Sequence, residues 1–151
     1  MAEEGEKAPA FKLKDDKGNA VALNDFKGKS VVLYFYPKDD TPGCTKEACD
    51  FRDQQKLFGK KNAVVFGVSA DSVASHEKFK NKFHLTFPLL SDPEKKTIQD
   101  YGVWKEKSMY GRKYMGIERT TFVIGPDGKI KKKFSKVKVD GHIDEVLAAL
   151  N

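Results

Sequence analysis

The chain has 151 residues, of which 39% are hydrophobic and 33% charged, with a formal net charge of +6. That length buries one continuous core and leaves no room for two, and the alternation of apolar runs with charged stretches excludes a largely disordered protein. The sequence has no run of roughly 18 apolar residues that would span a membrane, so one domain over residues 1–151 and no membrane partner are expected.

The opening MAEEGEKAP is acidic and is followed by no apolar stretch. It therefore does not read as a secretory signal, and a cytoplasmic location is expected, with an organelle reached through a removed transit peptide as the alternative. Residues 10–24 carry two short alternating segments around Gly18-Asn19 and read as a hairpin. VVLYFY, residues 31–36, is a continuous β-branched and aromatic run, the pattern of a strand buried on both faces of a parallel sheet. Pro37 ends that strand, and Pro42 suits the first position of a helix with Thr41 as its N-cap. Along the helix Cys44, Ala48, Phe51 and Phe58 recur near the helical period, with lysines and aspartates on the other faces. VVFGVS, residues 64–69, repeats the buried-strand pattern and completes a strand–helix–strand unit of right-handed sense.

Helical patterns at 73–83 and 94–101 flank the apolar FPLL at 87–90. TTFVIG (120–125) and KIKKKF (129–134), joined through Pro126, Asp127 and Gly128, read as a second hairpin, and HIDEVLAAL as the closing helix. The expected architecture is α/β: a central mixed sheet, parallel early and antiparallel late, flanked by helices.

Both cysteines, Cys44 and Cys49, fall within YPKDDTPGCTKEACDF. A reducing compartment argues against a structural disulfide. In the first turn of its helix Cys44 meets the unpaired N–H groups and the dipole, a setting that favours negative charge. Asp39, Asp40, Glu47 and Asp50 oppose that charge wherever they point inward, so a cation is needed. Of the three arginines, Arg52, Arg112 and Arg119, the last stands just before a strand able to lie beside the first one. Residues five apart on a helix have Cα atoms about 8–9 Å apart, whereas a disulfide takes about 4.4–6.8 Å. A bond between Cys44 and Cys49 therefore requires the first turns to unwind. The plainer reading of Cys44 is a small buried hydrophobe. Two cysteines and three histidines supply no recognisable zinc or iron–sulfur spacing, and the pair is not in Cys-x-x-Cys form.

Pro37-x-x-x-Thr41-x-x-Cys44, within YFYPKDDTPGCTKEACDFRD, resembles the peroxiredoxin active-site signature, and the longer stretch is similar to the peroxiredoxin Q or bacterioferritin comigratory protein subfamily. SDP at 91–93, YGVW at 101–104 and GIERTTFVIGPDGKI at 116–130 extend the resemblance over nearly the whole chain. It implies a thioredoxin-like fold and reduction of hydrogen peroxide and organic hydroperoxides. Cys44 would be the peroxidatic thiolate that becomes a sulfenic acid, and Cys49 the resolving thiol of a transient intramolecular disulfide. A thioredoxin or similar dithiol would reduce that bond, and no metal, haem or flavin cofactor would be needed. The resemblance further implies a monomer. In it Thr41 would hydrogen-bond the reacting atoms, Pro37 would shield the thiolate from water, and Arg119 would stabilise the charge on sulfur and peroxide oxygen. Glu47 belongs to the pattern with its role open between ordering the first turn and handling protons. Tyr101 and Trp104 read as core, and Lys105 departs from an expected glycine.

Two other classes of function compete. KIKKKFSKVK, with Lys129, Lys131 and Lys133 on one strand face, suggests a basic nucleic-acid-binding module. Stacking aromatics are sparse there, so a lysine-protected sheet edge is the preferred reading and no nucleic-acid partner is expected. A Cys-His hydrolase would draw its base from His76, His84 or His142, none of which stands in a catalytic motif.

Overall fold

A computed structural model describes residues 2–151. It opens with the expected hairpin, β1 (Lys12–Asp15) and β2 (Ala20–Ala22), and a short 3-10 turn at Leu23–Phe26. The first buried strand, β3 (Ser30–Phe35), leads into α1 (Pro42–Asp53), which breaks at Gln54 before α2 (Gln55–Lys60). Next come β4 (Ala63–Ser69), α3 (Val73–Phe83), β5 (Leu89–Ser91) and α4 (Lys96–Asp100). Two strands with no strong sequence signal, β6 (Trp104–Met109) and β7 (Arg112–Ile117), form a hairpin of their own. The chain closes with β8 (Thr120–Ile124), β9 (Ile130–Phe134) and α5 (His142–Ala149).

Seven strands make one sheet in the order β2-β1-β5-β4-β3-β8-β9. β3, β4 and β5 are parallel, and β8 and β9 are antiparallel, as expected. The expectation of "parallel early" needs one correction. The β1–β2 hairpin docks antiparallel on β5, so antiparallel pairing closes both edges of a parallel centre. Nothing in the local pattern of β1 announces which strand it joins, because that partner lies more than seventy positions away.

The unbroken apolar run of β3 has a simple cause. Val31, Leu33 and Phe35 enter a core on one face of the sheet, with Ile98 of α4, Tyr101, Val103 and Ile117. Val32, Tyr34 and Tyr36 enter the core on the other, with Cys44, Ala48 and Phe51 of α1, Phe58 of α2, Phe79 of α3 and Val146 of α5. Both faces are covered, so neither set is polar. Phe51 stacks on Tyr34 with centroids 4.6 Å apart, and its full burial contributes roughly 1.5–3 kcal/mol to holding α1 on the sheet. Across the parallel register Tyr34 faces Gly67, where a Cβ would come 2.8 Å from the tyrosine Cζ and hydroxyl, so glycine makes the room for that ring.

At the outer edge, β9 is covered by the acidic N-terminal segment. Gly5 N–H donates to Ile130 O at 2.8 Å, and Ile130 N–H to Glu6 O at 2.8 Å. Glu3 pairs with Lys133 at 2.9 Å and Glu4 lies 3.9 Å from Lys132. Lysines alternating along an edge, closed by a short acidic strap, match the edge-protection pattern. Tyr101 is fully buried, and Trp104 packs partly buried against the first core, with the Lys95 ammonium 5.4 Å from its ring centroid.

Candidate active site

The antiparallel pairing of β8 with β3 places Thr120 beside Phe35. Arg119, one residue earlier, therefore emerges next to the carboxyl end of β3, where α1 begins. Pro42 occupies the first turn of α1 and Thr41 is its N-cap residue, as expected. The threonine side chain makes no capping bond, however, and its hydroxyl instead donates to Lys38 O at 2.9 Å. A helix start without that bond forgoes about 1 kcal/mol. Cys44 lies in this turn, 1% exposed, its sulfur directed into the core.

The Arg119 guanidinium joins two groups. Its Nη2 donates to Cys44 Sγ at 3.3 Å and its Nη1 to Glu47 Oε1 at 2.6 Å. It reaches them over Gly43, where a Cβ would sit 3.3 Å from Nη2. Glu47, one helical turn after Cys44, is completely buried. Burial pushes its carboxyl up to about 7, against the downward pull of Arg119. Burial works against the charge of Arg119 too, but Glu47 and Cys44 hold its pKa above the ordinary value. Glu47 Oε2 and the Tyr34 hydroxyl are the buried side-chain polar atoms without a hydrogen-bond partner among the described residues. Burial first, then Glu47 and Cys44, holds the Tyr34 hydroxyl well above its usual pKa. The site thus sets one guanidinium between two groups that compete for it.

Of the four acids flagged near Cys44 in the sequence, only Glu47 turns toward the sulfur. Asp50 pairs with Lys46 at 2.9 Å and Asp40 with Lys82 at 2.8 Å, both outside. Asp39 is buried but fully engaged: Oδ1 accepts from Tyr36 at 2.5 Å, and Oδ2 meets Ser75 Oγ at 2.8 Å and His76 Nδ1 at 2.7 Å. Asp39, Asp71 and His76 have metal-ligating atoms within 4.8 Å of one another. Each of those atoms is already held, His76 also by Leu90 O at 2.9 Å and Asp71 by Asp39 N–H at 2.9 Å. The group pins the loop before α1 to α3 and β5.

Pro37 is exposed two residues past the end of β3, and Thr41 is half-buried at the helix head. Neither shares a hydrogen bond with Cys44, unlike Arg119. Cys49 is partly exposed on α1, beside Arg52, and both cysteines are free thiols. The three histidines lie elsewhere in the hydrogen-bond pattern. His76 belongs to the Asp39 group, His142 bridges Thr121 at 2.8 Å and Glu145 at 3.0 Å, and His84 caps α3 in a left-handed conformation. Glu47 is the residue whose partner the sequence left open. Its signal was a carboxylate three positions after Cys44 and four before Phe51, on the helix face that those core residues share.

The buried carboxyl has a thermodynamic consequence. Between pH about 4.5 and about 7 the folded chain keeps a proton on Glu47 that the unfolded chain has released, so stability falls as pH rises through that interval. Relative to Glu47→Gln, wild type is expected to lose on the order of 3 kcal/mol across the window, measured by urea unfolding. A difference between the two that stays flat with pH removes the carboxyl as the cause.

Residues 5–133 match the AhpC/TSA family. The chain is 54% identical over 148 residues to a putative peroxiredoxin bcp of Coxiella burnetii, covering 98% of each protein. It is 53% identical to peroxiredoxin Bcp of Bacillus subtilis over 97% of this chain and 93% of that one. Among solved structures, a Xanthomonas campestris peroxiredoxin Q superposes with a TM-score of 0.89 at 46% identity, over 93% of this chain and 89% of that one. The Xanthomonas campestris bacterioferritin comigratory protein, in structures directed at its alkyl peroxide reduction activity, gives a TM-score of 0.92 at 43% identity, over 98% of this chain and 97% of that one.

Proposed function

Because the chain belongs to the AhpC/TSA family and is a thiol-dependent peroxidase with the thioredoxin-like fold of peroxiredoxins, we propose that Cys44 is its peroxide-attacking thiolate and Cys49 its resolving thiol. The observation that carries this reading is the buried Cys44 sulfur at the head of α1, accepting a hydrogen bond from the Arg119 guanidinium at 3.3 Å. A helix N-terminus and a fixed cation hold negative charge on sulfur and on the peroxide oxygens without reorganisation at the moment of reaction.

The sulfur attacks one peroxide oxygen, the O–O bond breaks, water or alcohol leaves, and Cys44 becomes a sulfenic acid. Thr41 at the helix head orients the peroxide, and Pro37 restricts water at the end of β3. Cys49 then condenses with the sulfenic acid, releasing water, and a thioredoxin or similar dithiol reduces the disulfide by exchange. While both cysteines are in α1 their Cα atoms are about 8–9 Å apart, too far for that bond. The first turns must open. They are suited to it, since Thr41 supplies no side-chain cap, Pro42 and Gly43 are exposed, and the large anchor of α1, Phe51, lies beyond Cys49. Hydrogen peroxide and organic hydroperoxides are the assigned substrates, reduced in the cytoplasm by a monomer whose residues 1–151 work as one domain.

The test is peroxide-dependent NADPH oxidation through thioredoxin reductase and thioredoxin, together with mass analysis after one equivalent of peroxide. Wild type is expected to form a Cys44–Cys49 bond within one chain. Cys49→Ser should keep the first oxidation, hold a sulfenic acid that dimedone traps, and lose more than about tenfold in thioredoxin-driven turnover. Unchanged turnover in that variant, or only intermolecular bonds in wild type, would reject the resolving role.

A further inference from the structure

At the end of the sheet opposite the head of α1, the 3-10 turn, the N-terminal segment and the β8–β9 turn enclose a cavity of about 290 Å³. Leu23 and Phe26 of the 3-10 turn, Val31 at the start of β3 and Ile124 at the end of β8 make its apolar lining. Val31 and Ile124 are buried register partners across β3 and β8, whereas Leu23 and Phe26 are half-buried over them. The walls are fixed by their own contacts. Phe26 packs edge-on against Phe66 with centroids 5.0 Å apart, Ala8 N–H donates to Gly128 O at 2.9 Å, and Gly28 N–H to Pro126 O at 3.2 Å. Those contacts hold the three segments around a preformed apolar hollow.

The exposed part of the lining is basic. Lys7, Lys27 and Lys29 stand there, and none of them has a carboxylate within 4.0 Å among the described residues. Asp127 is the one acid of the lining, its Oδ1 accepting Lys129 N–H at 3.1 Å, so the lysines outnumber it three to one. An apolar floor beside unneutralised cations complements a ligand with an apolar body and an anionic head. At roughly 30 Å³ for each water-sized group the hollow takes about ten non-hydrogen atoms, the size of an eight-carbon chain ending in a carboxylate. The peroxide site is out of its reach. Val31 to Phe35 alone spans about 13 Å at about 3.3 Å per residue, and Cys44 lies past Phe35 on α1.

We propose that this hollow is a second binding site, separate from the peroxide site, for a medium-chain carboxylate whose chain lies on Leu23, Phe26, Val31 and Ile124 and whose head is held by Lys7, Lys27 and Lys29. The excess of lysine selects the sign of the head, and the volume selects one short chain. A bound chain bridges the N-terminal segment, the 3-10 turn and the β8–β9 turn. Occupancy therefore stabilises the fold by mass action and takes no part in the reduction of peroxide.

The experiment is calorimetric titration of the full chain with octanoate, octyltrimethylammonium and acetate, beside methyl NMR of Leu23, Val31 and Ile124 and thermal unfolding. Octanoate is expected to bind one to one, to shift those methyl signals and, at ten times its Kd, to raise Tm by about 3–6 °C. Octyltrimethylammonium, with the opposite charge, and acetate, without the chain, should each bind at least about tenfold more weakly. Lys27→Glu with Lys29→Glu, both at exposed positions, should keep the wild-type unfolding curve, weaken octanoate about tenfold and bring octyltrimethylammonium closer to it. Lys56→Gln with Lys60→Gln, which removes two exposed charges from α2, should leave octanoate binding within about twofold. Wild type that ignores octanoate or binds octyltrimethylammonium as tightly, a folded Lys27→Glu, Lys29→Glu chain at wild-type affinity, or a loss as large in the α2 variant overturns the proposal. Signals that shift around Cys44 and not at Leu23 and Ile124 overturn it too, as does a dimer through this face that octanoate leaves intact.

Discussion

A chain carrying Cys44→Ser is expected to leave hydroperoxides unreduced, with turnover down by on the order of 10⁴-fold or more, the scale on which removal of a covalent nucleophile acts. The serine hydroxyl keeps nearly the size of the thiol, so the fold of α1 should survive. It also keeps the hydrogen-bond partner, because Arg119 Nη2 stands 3.3 Å from the position of the sulfur. What it loses is the chemistry. A hydroxyl in this turn does not ionise near neutral pH even beside a guanidinium, and oxygen has no stable counterpart of the sulfenic acid through which both electrons pass. The check is the thioredoxin-coupled assay beside a urea unfolding curve. More than about a hundredth of wild-type turnover in a folded variant places the nucleophile elsewhere.

Arg119→Met should slow the oxidation of Cys44 by about 10²–10³-fold, equivalent to about 2.7–4 kcal/mol, as for loss of one preorganised donor at a developing anion. Methionine fills much of the same path over Gly43 but donates to neither Cys44 nor Glu47. The same change strips the fully buried Glu47 carboxyl of the one hydrogen-bond partner it has among the described residues. Removing one partner of such a pair costs about 3–5 kcal/mol while the other stays charged. Glu47 is already drawn up to about 7 by burial, so it escapes much of that cost by taking a proton. The pairing with Glu47→Gln separates the two effects. Arg119→Met with Glu47→Gln should recover stability above neutral pH without recovering the oxidation rate. Recovery of both would mean that Arg119 serves the carboxyl and not the sulfur.

The competition for Arg119 gives the site its character. One guanidinium serves a buried carboxyl and a buried sulfur, and Gly43 keeps the path over the helix head open. The loop leading to that head is held on the opposite side by the Asp39, Ser75 and His76 bonds. Fixed loop and uncapped turn meet at Thr41, so opening of the helix is confined to residues after the pinned segment.

Strands β3, β4 and β8, the starts of α1 and α3 and the closing helix were legible from residue patterns alone, because each reports a local condition. Burial on both faces leaves an unbroken apolar run, a helix start takes proline, and amphipathic spacing repeats with the turn. The separation of Cys44 from Cys49 was legible for the same reason, since a continuous helix fixes it. The β6–β7 hairpin was not. Its strands alternate mostly exposed residues without an apolar face, and its turn uses Tyr110 and Gly111, both left-handed, in place of the usual Asn-Gly signal. The pairing of Glu47 with Arg119 across seventy-two positions and the docking of β1 on β5 were decided only by tertiary structure. Such contacts depend on strand order and on which side chains share a buried volume, and no local periodicity encodes either. The sequence by itself determined where the two thiols stand and that their union must bend the helix. The sequence also singled out Arg119 as the cation, but only the fold set Glu47 on the same guanidinium and turned Asp40 and Asp50 outward, because electrostatic partners are selected by distance in space and not along the chain.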